Sequence, residues 1–191
     1  MNAFKSKMPH QFELVPFSAP KTPTKLFFQA ERQDQCLKFE YKLIGIDKVR
    51  LPELATKPQI RDLLWEHTCF ELFLCAGGPR YVEFNLSPSG DWNILAFDSY
   101  RLPAKQFTFK SQIPYFNCVL DPDTNLLHLR GEIDMGQCNE FLGKNSENTV
   151  SLGATVVVEG KNGAKDYWAL GHPNKQKADF HEAASFSAKI T

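Results

Sequence analysis

Three short stretches of the chain concentrate side chains suited to holding or transforming a polar ligand. Residues 69–75 carry Glu71, residues 81–87 carry Tyr81, Glu83 and Asn85, and residues 92–100 carry Trp92 and Asp98. Carboxylates and a primary amide offer hydrogen-bonding atoms in fixed directions, and aromatic rings offer a flat apolar face. That mixture suits a sugar, whose hydroxyls need defined partners and whose C–H face packs on a ring. Two carboxyls also permit glycoside hydrolysis, for which a retaining enzyme places them about 5–5.5 Å apart. The bland use of the same residues is a solvated sheet face with cross-strand polar pairs.

The elements that must position these groups are strands. Residues 36–44 alternate, with Leu37, Phe39, Tyr41 and Leu43 on one face and Lys38, Glu40 and Lys42 on the other. That is the pattern of a half-buried antiparallel strand. The three chemistry-bearing stretches follow, separated by Gly77-Gly78-Pro79 and Pro88-Ser89-Gly90-Asp91, which read as hairpin loops. Further strands are expected at 107–113, 117–120, 126–133, 150–158 and 167–170, and helical turns only at 61–65 and 137–142. Strands at this spacing with almost no helix predict one all-β domain over 1–191, a two-layer antiparallel sandwich of immunoglobulin-like or jelly-roll-like type.

Register follows from keeping apolar sets on the core. Phe70, Leu72 and Leu74 form one face of the first strand, Val82, Phe84 and Leu86 of the second, and Asn93, Leu95 and Phe97 of the third. A slip of one residue would turn a whole set outward. A five-residue loop sets Phe70 opposite Leu86, and a four-residue loop at 88–91 sets Phe84 opposite Leu95. The opposite face then has rows Glu71–Asn85–Ile94, Phe73–Glu83–Ala96 and Cys75–Tyr81–Asp98, with Trp92 beside Ser87.

Composition narrows the classes. The chain has 191 residues, 42% of them hydrophobic, with 16 phenylalanines, which favour pleated, half-buried surfaces. Lysine plus arginine equals aspartate plus glutamate at 22 each, so there is no cationic excess for nucleic acid. No apolar stretch approaches the ~20 residues of a membrane span. Residues 1–10 lack the apolar core of a secretory signal, so a cytoplasmic location is expected. Cys36, Cys69, Cys75, Cys118 and Cys138 show no metal-type spacing and are expected as reduced thiols.

Two sets of residues carry a family resemblance. The first is Leu64-Trp65-Glu66-His67-Thr68-Cys69-Phe70-Glu71-Leu72-Phe73 followed by Tyr81-Val82-Glu83-Phe84-Asn85-Leu86-Ser87-Pro88-Ser89-Gly90-Asp91-Trp92. The second is Tyr167-Trp168-Ala169-Leu170-Gly171-His172-Pro173 with Ala178-Asp179-Phe180-His181. Together they resemble DOMON-like proteins, which are related to family 9 carbohydrate-binding modules. The resemblance implies an immunoglobulin-like sandwich in which a tryptophan stands just ahead of a strand bearing a ligand-binding glutamate, as Trp65 and Glu71 do here. It matches an amide one strand over to Asn85. It also implies a second aromatic wall from a loop near the C-terminus, where this chain has Phe180 and His181 in place of an evident tryptophan.

Other constellations are weaker. His67, His172 and His181 with Glu66 and Asp179 have metal-ligating types but no metal-ligating spacing. Haem, the other ligand among DOMON relatives, needs a methionine and a histidine; Met1, Met8 and Met135 with His128 are the candidates. Neither group is required, and the reading is of no cofactor, with haem and a metal ion as alternatives. Gly-x-Ser-x-Gly, P-loop and Gly-x-Gly-x-x-Gly motifs are absent. The function expected is non-catalytic binding of a small polar ligand, a sugar or glycan fragment. Trp65 stacks on it, Glu71, Glu83 and Asn85 take its hydroxyls, Tyr81, Trp92 and Asp98 flank it, and the 171–181 loop with His172, Phe180 and His181 closes over it. The alternatives are a hydrolase using Glu71 and Glu83, and a module whose outer sheet docks another protein.

Overall fold

Tyr41 shows how the two layers are joined. It lies in the middle of the alternating strand, is fully buried, and donates its hydroxyl across the core to the backbone carbonyl of Glu71 at 2.6 Å. Its ring packs on Phe28 and Phe70, with centroids 4.8 and 5.3 Å away. A buried phenol needs such a partner, and here the partner belongs to the facing sheet.

The computed structural model describes residues 10–107, 109, 114–143 and 149–191. One sheet is built from β1 (His10–Glu13), β3 (Lys25–Gln33), β4 (Cys36–Ile44), β9 (Tyr115–Asp121) and β10 (Leu126–Asp134), in the order β1-β3-β4-β10-β9. The other contains β2 (Val15–Pro16), β5 (Cys69–Cys75), β6 (Tyr81–Leu86), β7 (Trp92–Ser99), β8 (Leu102–Pro103), β11 (Val150–Glu159) and β12 (Lys165–Ala169), in the order β2-β12-β11-β5-β6-β7-β8. A last strand, β13 (Ala188–Ile190), pairs with the start of β11. The one α-helix among the described residues, α1 (Met135–Leu142), is capped by Asp134, which accepts the Gly136 N–H at 2.8 Å. No helix among the described residues is long and apolar enough to cross a membrane. The expected two-layer antiparallel sandwich is the fold observed. Alternate residues of β3, β4 and β10 meet Phe70, Leu72, Leu74, Val82, Phe84 and Leu86 in a single core.

The β5–β6 hairpin has the expected register, Phe70 opposite Leu86 and Cys75 opposite Tyr81. The β6–β7 hairpin does not. Phe84 faces Ile94 rather than Leu95, and Leu86 faces Trp92. The connection is five residues, 87–91, and its own side chains set that length. Ser87 Oγ accepts from the Ser89 N–H, and Ser89 Oγ from the Asp91 N–H, each at 3.2 Å. Gly90 adopts φ +95°, which favours glycine, and a Cβ there would lie 3.1 Å from Pro58 Cγ. The slip exchanges the faces of β7. Trp92, Ile94 and Ala96 pack on the inter-sheet core, while Asn93, Leu95 and Phe97 share a face with Glu71 and Glu83. Leu95 and Phe97 are therefore not between the sheets.

That outer face is not solvated. The chain after β12 crosses it, and Phe180 and Phe186 close with Leu95 on a second cluster of Phe73, Cys75, Tyr81 and Phe97. Gly153 of β11 leaves room for this crossing, since a Cβ there would lie 2.5 Å from Phe186 Cδ1. Every residue of β5 and β6 is consequently buried. The candidate strand at 107–113 falls largely outside the described residues, as do Met1 and Met8.

Replacing Tyr41 with phenylalanine keeps the ring contacts and removes the hydroxyl that here bridges the sheets. The expected loss is about 1–2 kcal/mol, read as a lower urea midpoint with an unchanged m-value; a midpoint equal to wild type would show that this bridge contributes nothing.

Candidate functional site

Glu71 and Glu83 project from adjacent strands onto the outer face, and the two residues are only 3 and 4% exposed. Register makes them diagonal neighbours, since Glu71 faces Asn85 and Glu83 faces Phe73. Thr155, opposite Glu71 on β11, donates its hydroxyl to Glu71 Oε2 at 2.9 Å. Asn85, two residues along β6, donates Nδ2–H to Glu83 Oε1 at 2.7 Å. Glu83 Oε2 is buried and has no hydrogen-bond partner among the described residues.

Burial lifts the Glu71 carboxyl far above its ordinary range, and repulsion from Glu83 adds to the rise; the Thr155 hydroxyl and the more distant charge of Arg101 offset only part of it. Glu83 is raised as well, again by burial, against the opposing effects of Asn85 and Arg101. Protonation is therefore favoured at both carboxyls near neutral pH, most strongly at Glu71. Arg101 cannot neutralise it outright, because its Nη2 is bound to Asp179 Oδ1 at 3.0 Å.

Asp179 is the anchor of the covering segment. Its side chain is 1% exposed, and it accepts from the Tyr100 hydroxyl at 2.6 Å, from Arg101 at 3.0 Å and from the His181 N–H at 3.2 Å. Burial pushes its pKa up, and the bonds from Tyr100 and Arg101 outweigh that and hold it below the usual carboxylate range. The 100–101 turn, in which Arg101 has φ +53°, is thereby tied to the C-terminal segment. His181 follows two residues later. Its Nδ1 lies 2.8 Å from the Tyr81 hydroxyl, and its ring stands edge-on to Phe73, Tyr81 and Phe97. Burial lowers its pKa to about 4, with a further downward push from Arg101, so the imidazole is neutral.

Between this segment and the sheet lies an open cavity of about 520 Å³. Glu71, Glu83, Leu95, Phe97 and Val157 contribute to its lining, and Trp65, Tyr167, Phe180 and His181 add further aromatic groups, with Arg101 and Lys165 beside them. Trp65 belongs to the short 3-10 turn Leu64–Glu66 that leads into β5. Tyr167 and Phe180 meet edge to face with centroids 6.1 Å apart.

The structure brings Trp65, Glu71, Glu83, Phe180 and His181 to one cavity, as the sequence suggests. Tyr81 and Asn85 lie behind it and hold His181 and Glu83. Three residues stand elsewhere. Trp92 is in the inter-sheet core, 8% exposed. Asp98 falls on the other side of β7 and pairs with Arg80 at 3.2 Å. Both displacements follow from the five-residue turn. His172 is bound through Nε2 to the Val15 carbonyl at 3.0 Å and packs on Phe17. The metal-type residues do not gather: His67 pairs with Glu159, His172 with Val15 and His181 with Tyr81, and no cluster of three ligating groups occurs among the described residues. Met135 is enclosed in the core, and His128 is bound to Glu40.

Sequence reading missed Arg101, Lys165, Thr155 and Tyr167. A signal for the covered face was present in Cys-Phe-Glu-Leu-Phe-Leu-Cys, which is apolar at both parities apart from Glu71. Such runs mark strands buried on both sides.

The chain is a two-layer β-sandwich with an acidic, aromatic-lined cavity on the outer face of its larger sheet. A scan against protein-family models returns no match, and neither does a search of curated proteins. Solved structures do match. A family 9 carbohydrate-binding module from Caldicellulosiruptor kristjanssonii in complex with cellotriose superposes with a TM-score of 0.59 at 12% identity, covering 95% of this chain and 81% of that one. The complex of such a module from that organism with glucose gives 0.56 at 12% identity, over 90 and 78%. A structure from Bacteroides uniformis, described as a putative carbohydrate-binding protein, gives 0.64 at 16% identity, over 95 and 85%. The chain is similar to all three in fold over nearly its whole described length.

The acidic pair has a signature in stability. A raised carboxyl binds its proton more tightly in the folded state, so its contribution is full below the unfolded pKa and is lost as pH rises through the folded value. His181 acts oppositely, but only below the ordinary histidine range, about 6.5. Between about pH 6.5 and about pH 8 the pair dominates, and stability should fall by about 1.4 kcal/mol per pH unit for each proton that the folded pair still holds. Denaturant melts of wild type and of Glu71→Gln/Glu83→Gln across this window measure the difference; the double variant should show a flatter profile, and equal slopes would mean that the carboxyls titrate normally.

Proposed function

We propose that this chain binds a sugar or short glycan fragment in the cavity over Glu71 and Glu83, without transforming it. The observation that carries this reading is the pairing of a buried carboxyl floor, with one oxygen unpartnered, and aromatic groups around the same opening. Hydroxyls of a saccharide would satisfy the floor, and its C–H face would lie on Trp65 or on Tyr167 and Phe180. The similarity in fold to modules in complex with cellotriose and glucose supports the same assignment. Docking of another protein on the bare outer sheet is disfavoured, because the C-terminal segment already covers that face. A cytoplasmic location is retained in this proposal from the sequence.

Hydrolysis through Glu71 and Glu83 is the second chemistry, favoured by the raised carboxyls, since a general acid at neutral pH needs such a shift. It is separated from binding by incubating the protein with cellotriose and following products by chromatography. Binding alone leaves the trisaccharide intact.

Calorimetric titration with glucose, cellobiose and cellotriose tests the main reading, with dissociation constants of about 10 µM to 1 mM expected for a small cavity of this kind. Trp65→Ala should weaken binding by about tenfold or more through loss of the stacking surface. Because the Glu71 carboxyl retains its proton, Glu71→Gln should bind nearly as wild type, whereas Glu71→Leu should lose roughly ten- to a hundredfold. Retained affinity in both Trp65→Ala and Glu71→Leu would place the sugar elsewhere.

A further inference from the structure

We propose that His181 and Glu83 grip one hydroxyl of the bound ligand between imidazole Nε2 and carboxyl Oε2, which makes His181 the residue that selects for a hydroxyl at that position. The inference rests on the sugar-binding reading and deepens it.

The hydrogen-bond network dictates the tautomer. The Tyr81 hydroxyl accepts the Arg101 N–H at 3.0 Å and has a single proton of its own. His181 Nδ1, at 2.8 Å, is the acceptor for that proton among the described residues. If Nδ1 carried hydrogen instead, the buried phenol proton would have no partner. The neutral imidazole therefore carries its hydrogen on Nε2. That N–H faces Glu83 Oε2 at 3.8 Å, which is beyond the 2.7–3.2 Å of an N–H···O bond. Glu83 Oε2 meanwhile has no partner among the described residues, while Oε1 is held by Asn85.

An oxygen about 2.8 Å from each atom would close both bonds. Glu83 Oε2 is closed to solvent, so the pair must part slightly to admit it. The imidazole is the side that gives, because His181 sits on the covering segment, whereas Glu83 lies in β6 between two paired strands. A hydroxyl fits this point better than an ether or carbonyl oxygen. It accepts from His181 and then either donates to an ionised Glu83 or accepts from a protonated one. An oxygen without hydrogen can serve only the second state.

The experiment uses the whole chain with glucose, cellobiose, cellotriose and the monodeoxyglucoses. Nitrogen-15 spectra of the free protein should show His181 as the Nε2–H tautomer, and that resonance should shift on saturation with glucose. One monodeoxyglucose should bind wild type about tenfold or more weakly than glucose does. His181→Phe keeps a ring and removes the donor; it should weaken glucose binding by a similar factor and bind that same deoxy sugar no worse than glucose. His181→Gln, which retains an N–H donor, should recover part of the loss. A merely structural histidine would not produce this sugar-by-variant pattern. Uniform affinity across the monodeoxy series in wild type, equal glucose affinity in His181→Phe, or an Nδ1–H tautomer overturns the inference and leaves the sugar reading intact. Failure of wild type to bind any of the three sugars overturns both.

Discussion

The side chain of Asp179 holds the site together. It joins Tyr100 and Arg101, in the turn after β7, to the segment that runs across the outer face of the larger sheet. Without that tie the face would be an ordinary solvated surface. With it, Phe180 and Phe186 settle on Phe73, Tyr81 and Phe97, His181 reaches Tyr81, and water is excluded from two carboxyls. The ionic contacts to Asp179 differ in weight. Arg101 is half exposed and Lys177 more so, so screening reduces both. The Tyr100 hydroxyl and the His181 N–H, bound to an oxygen-rich group that is itself buried, do most of the positioning.

Enclosing Glu71 and Glu83 is unfavourable for folding, and the charge of Arg101 offsets only part of it. The sandwich tolerates this because the rest of β5 and β6 buries large apolar side chains on both faces. Local violations of polar satisfaction surrounded by a well-packed core are where functional sites are expected. Glu83 Oε2 is such a violation: a buried acceptor without a partner among the described residues, beside a cavity. The comparison structures, alike in fold at 12–16% identity, show that this sandwich can be kept while nearly all side chains change. Assignment of a ligand therefore has to come from the side chains of this chain and not from the fold.

How much was legible depended on whether one face of a strand differed from the other. In β4, Leu37, Phe39, Tyr41 and Leu43 alternate with Lys38, Glu40 and Lys42, and the strand runs from Cys36 to Ile44 as the pattern implies. The pairing of Phe70 with Leu86 was readable because Glu71, Glu83 and Asn85 mark one parity of the β5–β6 hairpin as polar. In β7 the sets Trp92, Ile94, Ala96 and Asn93, Leu95, Phe97 are similarly apolar, because both faces are covered. Alternation then carries no sign, and register passes to the turn. Ser87, Ser89, Gly90 and Asp91 form a five-residue connection through their own hydrogen bonds, and one extra residue moved Trp92 and Asp98 off the site.

The sequence by itself determined the all-β sandwich, the strand carrying Glu71, and the placement of Trp65 just before it, since these rest on local alternation and short spacings. It also put Glu71, Glu83 and Asn85 on a common face through a single hairpin. Only the tertiary structure decided that this face is enclosed, that Thr155 of a distant strand holds Glu71, and that Arg101, Tyr167 and His181 complete the cavity. Those contacts join residues 78 to 100 positions apart, such as Arg101 to Asp179, Glu71 to Thr155 and Tyr81 to His181. No local periodicity encodes such contacts; they exist because a buried carboxylate and a buried phenol must each find a partner wherever the chain passes.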